Sequence, residues 1–592
     1  MSYRAPVSEI RFLFDHVVGF DQVAATERFS EATPETVAAV LSEAGKLCED
    51  ILSPLQRAGD LHPARLENGI VRTSPGYADG YRAIADGGWI AIAADPEYGG
   101  MGLPMAMTTA VNDMMSATCL SLQLAPLMTQ GQIEALEHHA PDAIKSLYLP
   151  KLISGEWMGT MNLTEPQAGS DVGALTTKAE PNGDGTYAIT GQKIYIPWGD
   201  NDITENVCHL VLARLPDAVP GTKGISLFLV PKRIPDENGV PGVANDLKVV
   251  SLEHKMGLHG SPTAVMQYDG ATGWLIGQEH DGMRAMFTMM NNARLGVGVQ
   301  GIGVADGAYQ HALAYAEGRK QGRTENNSIT DHADVRRMLL AQKAYAEGAW
   351  SLCLFASQLV DDWKTHPDES GRKAAFDLLD FLTPIVKTWP SEYGPKANDL
   401  AIQVLGGAGY TNEHPVELMY RDNRLNPIHE GTTGIQSIDL LGRKVPQHGM
   451  AGYVACLGAM EATLAEAGDV AACAAMVSAL TVALAELKQT TEVLLGSMLE
   501  RDIDLVMANS AVYLECFGHV VVGRFRGVSR THLRGLAPQV VTRQLRVVKR
   551  IDVEPQPAAV QRCVRVVALR QGREARVEVR RGRRRVRASV VA

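Results

Sequence analysis

The sequence predicts a mainly α fold with one small β domain in its middle. Three observations carry this. Apolar residues recur at three- and four-residue spacing through the first 150 or so positions. The spacing changes to alternation between about Gly155 and Trp274, and long helical patterns return from Gly282. The expected organisation is an N-terminal helical domain (1–154), a middle antiparallel β domain (155–275) and a helical bundle (276–445). An extra helical module (446–523) and a basic tail (524–592) follow.

Thr33 caps a helix whose first turn holds Glu35, and the apolar pattern runs to Leu52. A shorter helix from Gly80 closes at Gly87 and Gly88. The glycine-rich string Asp95-P-E-Y-G-G-M-G-L-P then opens a long helix at Met105. It is not followed by Lys-Ser/Thr or preceded by a strand pattern, so it does not read as a nucleotide P-loop. A wall closing over a ligand is the better reading. Residues 185–196, 207–215 and 224–230 read as strands separated by Gly, Asn, Asp and Pro. Helices are expected at 283–320, 333–363, 370–386 and, in an Ala-rich region, from Val454 to about Val522.

The eight cysteines are scattered, without a C-x-x-C pair, so neither a zinc site nor a disulfide framework is expected and no metal is assigned. A cytoplasmic protein with reduced thiols fits. The first fifteen residues break their apolar run with charge, so no signal peptide is expected. The longest apolar run, Val470 to Ala485, is shorter than the ~20 residues of a spanning helix. Net charge is −11 but unevenly spread. Residues 524–592 hold eighteen Arg, one Lys and four acids, a net of +15, so the preceding residues carry −26.

The stretch Asn426-P-I-H-E-G-T-T-G-I-Q-S-I438 singles out one carboxylate, Glu430. Gly431 allows a close backbone approach to a ligand. Shielding by Pro427 and Ile428 would raise the carboxylate pKa by desolvation, which makes a base able to take a proton beside a carbonyl. The bland alternative is a helix start, with Thr433 as N-cap. Glu413, Glu417 and Asp422 are competing acids and read as surface or interface charges.

Four further strings precede it in order: Gly159-T-M-N-L-T-E-P-Q-A-G-S-D-V-G, Lys255-M-G-L-H-G-S-P-T, Gly318-R-K-Q-G-R and Gln403-V-L-G-G-A-G-Y. With Glu430 after them, the chain resembles the acyl-CoA dehydrogenase family of flavoproteins from about residue 35 to 445. The extension after 446 is similar to its subgroup of about 600 residues, which includes 3-methylmercaptopropionyl-CoA and bacterial fatty acyl-CoA dehydrogenases. The resemblance implies a C-terminal four-helix bundle, bound FAD, and Glu430 as catalytic base. It places Leu163 and Thr164 at the isoalloxazine ring and Gly169 and Ser170 near the pyrophosphate. Arg319, Gln403 and Gly407 would reach FAD of a neighbouring subunit, and Thr432 would be another flavin contact. Ser170 and Gly431 are the expected substrate contacts.

Two departures matter. The family carries W/F-I-T/S where this chain has Tyr195-Ile196-Pro197. Tyr195 keeps an aromatic face for the flavin, but Pro197 offers neither hydroxyl nor N–H to flavin N5. After Gly523 no helical period survives, and Arg and Val dominate. A reading-frame slip near codon 523 of a GC-rich gene would produce this; resequencing checks it, and a confirmed sequence makes the tail a basic arm.

The expected reaction is α,β-dehydrogenation of an acyl-CoA thioester, with an electron-transfer flavoprotein as partner and a homo-oligomer, a dimer, as the assembly. Neither membrane nor nucleic acid is expected as a partner. The alternatives are an acyl-CoA oxidase using oxygen, a nucleic-acid-associated flavoprotein with a basic C-terminal surface, and a scaffold with a damaged flavin site. Acyl chain length would follow from a pocket lined by Met105 to Leu127 and Met286 to Met290.

Overall fold

The computed structural model describes residues 3–322, 328–500 and 503–532. Helix α1 (Val7–Leu13) leads to α2 (Pro34–Lys46), α3 (Leu55–Leu61) and α4 (Tyr77–Asp86). Thr33 caps α2 as expected, its hydroxyl accepting from the Thr36 amide at 3.2 Å. The glycine-rich string folds back on the chain before it. Met101 and Leu103 amides donate to the Ala91 and Ile92 carbonyls, and a Cβ on Gly100 would meet the Ala94 carbonyl at 2.0 Å. Its glycines thus serve a return within the chain.

Helix α5 (Met105–His139) is buried over most of its length, and Cys119 breaks its helical dihedrals. Asp361, from a later helix, caps its start by accepting from the Met105 and Ala106 amides at 2.7 and 3.1 Å. After α6 (Asp142–Ile153), a seven-stranded sheet forms from β1 (Trp157–Asn162), β2 (Lys178–Pro181), β3 (Tyr187–Pro197), β4 (Asn206–Arg214), β5 (Ile225–Pro231), β6 (Leu247–Leu252) and β7 (Thr263–Ile276). The order is β6-β7-β3-β2-β4-β1, with β5 pairing both β7 and β4. It is antiparallel except where β4 meets β1 and, at one pair, β2. The sequence reading missed β1. Its side chains are buried on both faces, so it lacks the alternation that marks a half-exposed strand.

Helices α7 (Gly282–Gly318), α8 (Ala333–Thr365) and α9 (Glu369–Leu405) pack on one another and on α5. The reading ended α9 at Val386, but the helix continues through Pro390 and Pro395 to Leu405. Pro390 cannot donate to the Val386 carbonyl. That carbonyl faces Gly298 of α7, where an added Cβ would sit 2.5 Å away. Close helix contact offsets the broken ladder. Short α10 (Val416–Asn423) and α11 (Thr433–Asp439) flank the Glu430 turn.

The extra module is α12 (Ala451–Gly468), α13 (Ala474–Leu499) and α14 (Ile503–His532). Helix α14 passes the expected end at Gly523. Phe525 is 1% exposed, and Arg524 lies over the Phe355 ring at 4.8 Å while donating to Thr463. The start of the basic tail therefore belongs to the helical module; positions 533–592 lie outside the described residues. Val506–Phe525 is long and apolar enough to span a membrane, yet it packs on α8, α9, α11, α12 and α13. All seven cysteines of the described residues are buried, and no disulfide joins any two of them.

Candidate active site

Glu430 sits in the turn between α10 and α11, in the left-handed region at φ +53°, followed by Gly431 at +89°. A non-glycine residue there costs about 1–2 kcal/mol, so the turn must be held. Gln436 Nε2 donates to the Glu430 carbonyl at 3.1 Å. Lys387 Nζ donates to the carbonyls of Asn426 and Gly431, each at 2.8 Å. The Thr433 amide donates to the Pro427 carbonyl at 3.2 Å. Gly431 is required because a Cβ would lie 2.5 Å from Gln436 Nε2. Its close approach is to the chain itself. The cap of α11 falls on Thr432, which accepts from the Ile435 amide; Thr433 instead donates to Glu392 at 2.5 Å.

The Glu430 carboxylate makes no hydrogen bond within the described residues. Burial raises its pKa, and the Arg294 and Lys387 cations pull against that without cancelling it. The expected shield is only half right, since Pro427 is buried but Ile428 is 52% exposed. Arg294, on α7, is buried and has no partner for its Nε among the described residues. Lys387 is fully buried, and desolvation brings its ammonium down to about 8.

A ladder of buried amides runs beneath the turn. Asn398 donates to the Val304 carbonyl at 3.2 Å, and Asn423 to the Gly301 carbonyl at 3.0 Å and to Asn398 at 2.6 Å. Asn426 donates to Asn423 at 2.9 Å, and His429 Nε2 meets the Asn426 Oδ1 at 3.0 Å. Backbone carbonyls only accept, so the ladder has one polarity, which assigns the proton of His429 to Nε2. Burial, with Lys387 nearby, drops the imidazole to about 3 and keeps it neutral.

The second part of the site is the loop after β1. Leu163 and Thr164 are partly buried, and Gly169 and Ser170 are exposed. Between them Glu165 is buried and takes hydrogen bonds on both oxygens. Oε1 accepts from Lys193 Nζ at 2.8 Å, the Thr177 hydroxyl at 2.5 Å and the Thr177 amide at 3.1 Å. Oε2 accepts from the Thr176 amide and hydroxyl and from Gln167. Burial opposes its charge, but Lys193 and these donors outweigh burial and hold the carboxyl at about 2. Lys193 also donates to the Leu163 carbonyl at 3.1 Å, and the Ile194 amide donates to the Thr164 carbonyl at 2.9 Å. The loop is thus fastened to β3, whose end carries Tyr195. Tyr195 is 60% exposed at φ +59°.

An open aromatic face, the Thr164 hydroxyl without a hydrogen bond in the described residues, and a Gly169 with nothing within 4 Å of an added Cβ fit a flat polar cofactor with an anionic arm. Pro197 takes part in β3 and supplies no donor there. Arg319, Gln403 and Gly407 are exposed, at the ends of α7 and α9 and just beyond. The structure sets all three on the surface.

A cavity of about 500 Å³ opens between α5, α7, α8 and α9, with Met105, Phe287, Leu295, Trp363, Phe376 and Val386 among its lining. Leu295 and Val386 neighbour Arg294 and Lys387 in sequence, but Glu430 does not line it. Met286 and Met289 do not line it either and are fully buried in the core. Of the competing acids, Glu413 is exposed and Glu417 pairs with Arg57 and Arg421. Asp422 is not a surface charge: it is buried and accepts from the Leu258 amide at 2.6 Å.

Comparison with known proteins agrees with the fold. Models of the acyl-CoA dehydrogenase N-terminal, middle and C-terminal domains match residues 34–156, 160–271 and 280–445. An acetyl-CoA dehydrogenase C-terminal-like model matches 456–526. The chain is 46% identical over 455 residues to 3-methylmercaptopropionyl-CoA dehydrogenase of Ruegeria pomeroyi, covering 76% of this chain and 77% of that one. It is 35% identical over 464 residues to the broad-specificity linear acyl-CoA dehydrogenase FadE5 of Mycobacterium tuberculosis, covering 75% of each. Among solved structures, Caenorhabditis elegans ACDH-11 in complex with C11-CoA shares the fold, with a TM-score of 0.75 at 20% identity over 89% of this chain and 91% of that one. The chain belongs to the acyl-CoA dehydrogenase family of FAD-dependent enzymes.

Proposed function

We propose that the protein dehydrogenates an acyl-CoA thioester to the 2-enoyl-CoA, with Glu430 as the base. The observation that carries this is the unbonded Glu430 carboxylate, raised by burial and held on a strained turn. A base with an elevated pKa accepts a proton from carbon more readily than an ordinary surface carboxylate. Glu430 takes the α-proton, and its own backbone N–H faces the thioester oxygen, where negative charge builds. Bound FAD supplies the acceptor for the β-hydrogen, which leaves with its electron pair. Leu163, Thr164, Gly169, Ser170, Tyr195 and Thr432 would hold that cofactor, and Ser170 and Gly431 would contact substrate.

The substrate class is 3-methylmercaptopropionyl-CoA or a linear fatty acyl-CoA. The named activities of the R. pomeroyi and M. tuberculosis relatives support both. Electrons pass on to an electron-transfer flavoprotein. Anaerobic bleaching of the purified yellow protein by a panel of acyl-CoA thioesters, the methylmercaptopropionyl one included, tests the reading. Failure of every thioester to bleach overturns it, and stoichiometric hydrogen peroxide in air would point to an oxidase. The exposed Arg319, Gln403 and Gly407 fit a dimer in which each subunit completes the other's FAD site. A monomer with full FAD content in sedimentation would remove that part.

A further inference from the structure

Lys387 is a buried cation without an ion pair among the described residues. An ammonium taken out of water needs compensation. Here it comes from two backbone carbonyls, Asn426 and Gly431, five residues apart at the two ends of the turn that carries Glu430. One Nζ draws both ends of the turn to a single point. Gln436 pulls the Glu430 carbonyl the same way, and the Thr433 amide closes the ring on Pro427. This closure holds Glu430 in its left-handed conformation, at φ +53°.

We propose that Lys387 is the positioning residue of the base: it fixes the Glu430 turn through the Asn426 and Gly431 carbonyls and places a positive charge near the carboxylate. This rests on the reading of Glu430 as the base. The charge has a direction. Among the groups facing Glu430, Arg294 from α7 and Lys387 from α9 both favour its ionised form, and neighbouring His429 is neutral. Glu392 acts on Lys387, while Asp439, Asp380 and Arg443 act on Arg294. Removing Lys387 therefore makes Glu430 harder to ionise, and its acid limb moves to higher pH.

Three variants separate placement from charge. Lys387→Met removes both; the bleaching rate should fall about 10²-fold, as for a misplaced reacting group, with the acid limb moved to higher pH. Affinity for an unreactive thioether analogue of the acyl-CoA, read from the flavin spectrum, should change less than about threefold. Lys387→Arg should return the acid limb toward its original position, because the charge is back. Gln436→Leu removes one carbonyl tether and no charge, so it should slow bleaching with the acid limb unmoved. A folded, yellow Lys387→Met with wild-type rate and pH profile overturns the proposal. So does loss of analogue binding in step with the rate, which marks a merely structural role. If Lys387→Met does not fold, a Gln436→Leu protein with the wild-type rate overturns it instead. Glu430→Gln is the control: should it bleach normally, the base assignment fails first, whatever Lys387 does.

Discussion

The Glu165 carboxylate and the Lys193 ammonium lie 2.8 Å apart, with side-chain exposures of 2% and 0%. Burial alone would hold both groups neutral; together, and with the Thr176 and Thr177 donors, they stay charged. Removing one partner leaves an uncompensated buried charge, which costs about 3–5 kcal/mol. Lys193→Met should therefore lower the melting temperature and, by freeing the Leu163 carbonyl, reduce FAD retention. Gel-filtered protein with full FAD content and an unchanged melt would show that the pair does not fasten this loop.

Removing the base while keeping its shape is the direct probe of Glu430. In Glu430→Gln the backbone N–H of residue 430 remains, so acyl-CoA should still perturb the flavin spectrum. Loss of a general base typically costs ~10²- to 10⁴-fold in rate. Stopped-flow bleaching at near wild-type rate would put the base elsewhere.

His209 predicts a pH dependence of stability. It lies buried on β4, its ring edge-on to Tyr268 of β7, with Nδ1 on the Thr160 hydroxyl of β1 at 2.7 Å and no partner for Nε2 in the described residues. Burial, with a smaller push from Lys232, lowers its pKa from 6.5 to about 3. The unfolded chain binds a proton there below pH 6.5, while the folded one does not until about 3. This site's stabilisation is thus complete above pH 6.5 and is lost as pH falls from 6.5 toward 3. Asp306, Asp361 and Asp422, each raised by burial to about 7, contribute the opposite slope between their ordinary range and 7. A difference between wild type and His209→Gln cancels them. Urea denaturation at pH 5 and 7 should show the wild type losing more stability on acidification than the variant, and equal losses would exclude His209.

The order of helical and sheet regions, the loop after β1 and the Glu430 turn were legible because each has a local mark: a period, a specific string, or a glycine after an acid. The partners of Glu430 were not. Arg294 lies among the apolar and glycine residues of α7, and Lys387 is the first residue beyond the point where Pro384 and Pro390 suggest a helix end. Both reach Glu430 only through tertiary packing. The same holds for Asn398, which anchors the amide ladder from 32 positions upstream of Glu430. Glu165 stood inside the most specific string, but nothing local shows that its lysine partner lies 28 residues on. Ile428 was misjudged because an apolar residue beside a site is no guarantee of burial.

Where the chain can be cut follows from α14. All residues assigned to the site precede Ile438, and the family match ends at 526. A protein ending at His532 should keep its FAD, bleach with acyl-CoA and melt like the full chain. Ending it at Gly523 instead removes Phe525, which is 1% exposed and tilted against Phe355 at 5.4 Å, and Arg524 with its bond to Thr463. Losing a buried Phe side chain costs about 3–5 kcal/mol where the cavity does not collapse. The shorter protein should therefore melt lower, with FAD content falling only as the fold loosens. The two truncations differ by nine residues, so a melt for each decides the matter. Equal melting temperatures would show that the last turns of α14 do not hold the module to α8. Loss of FAD in the longer protein would show that residues 533–592 contribute to the flavin site.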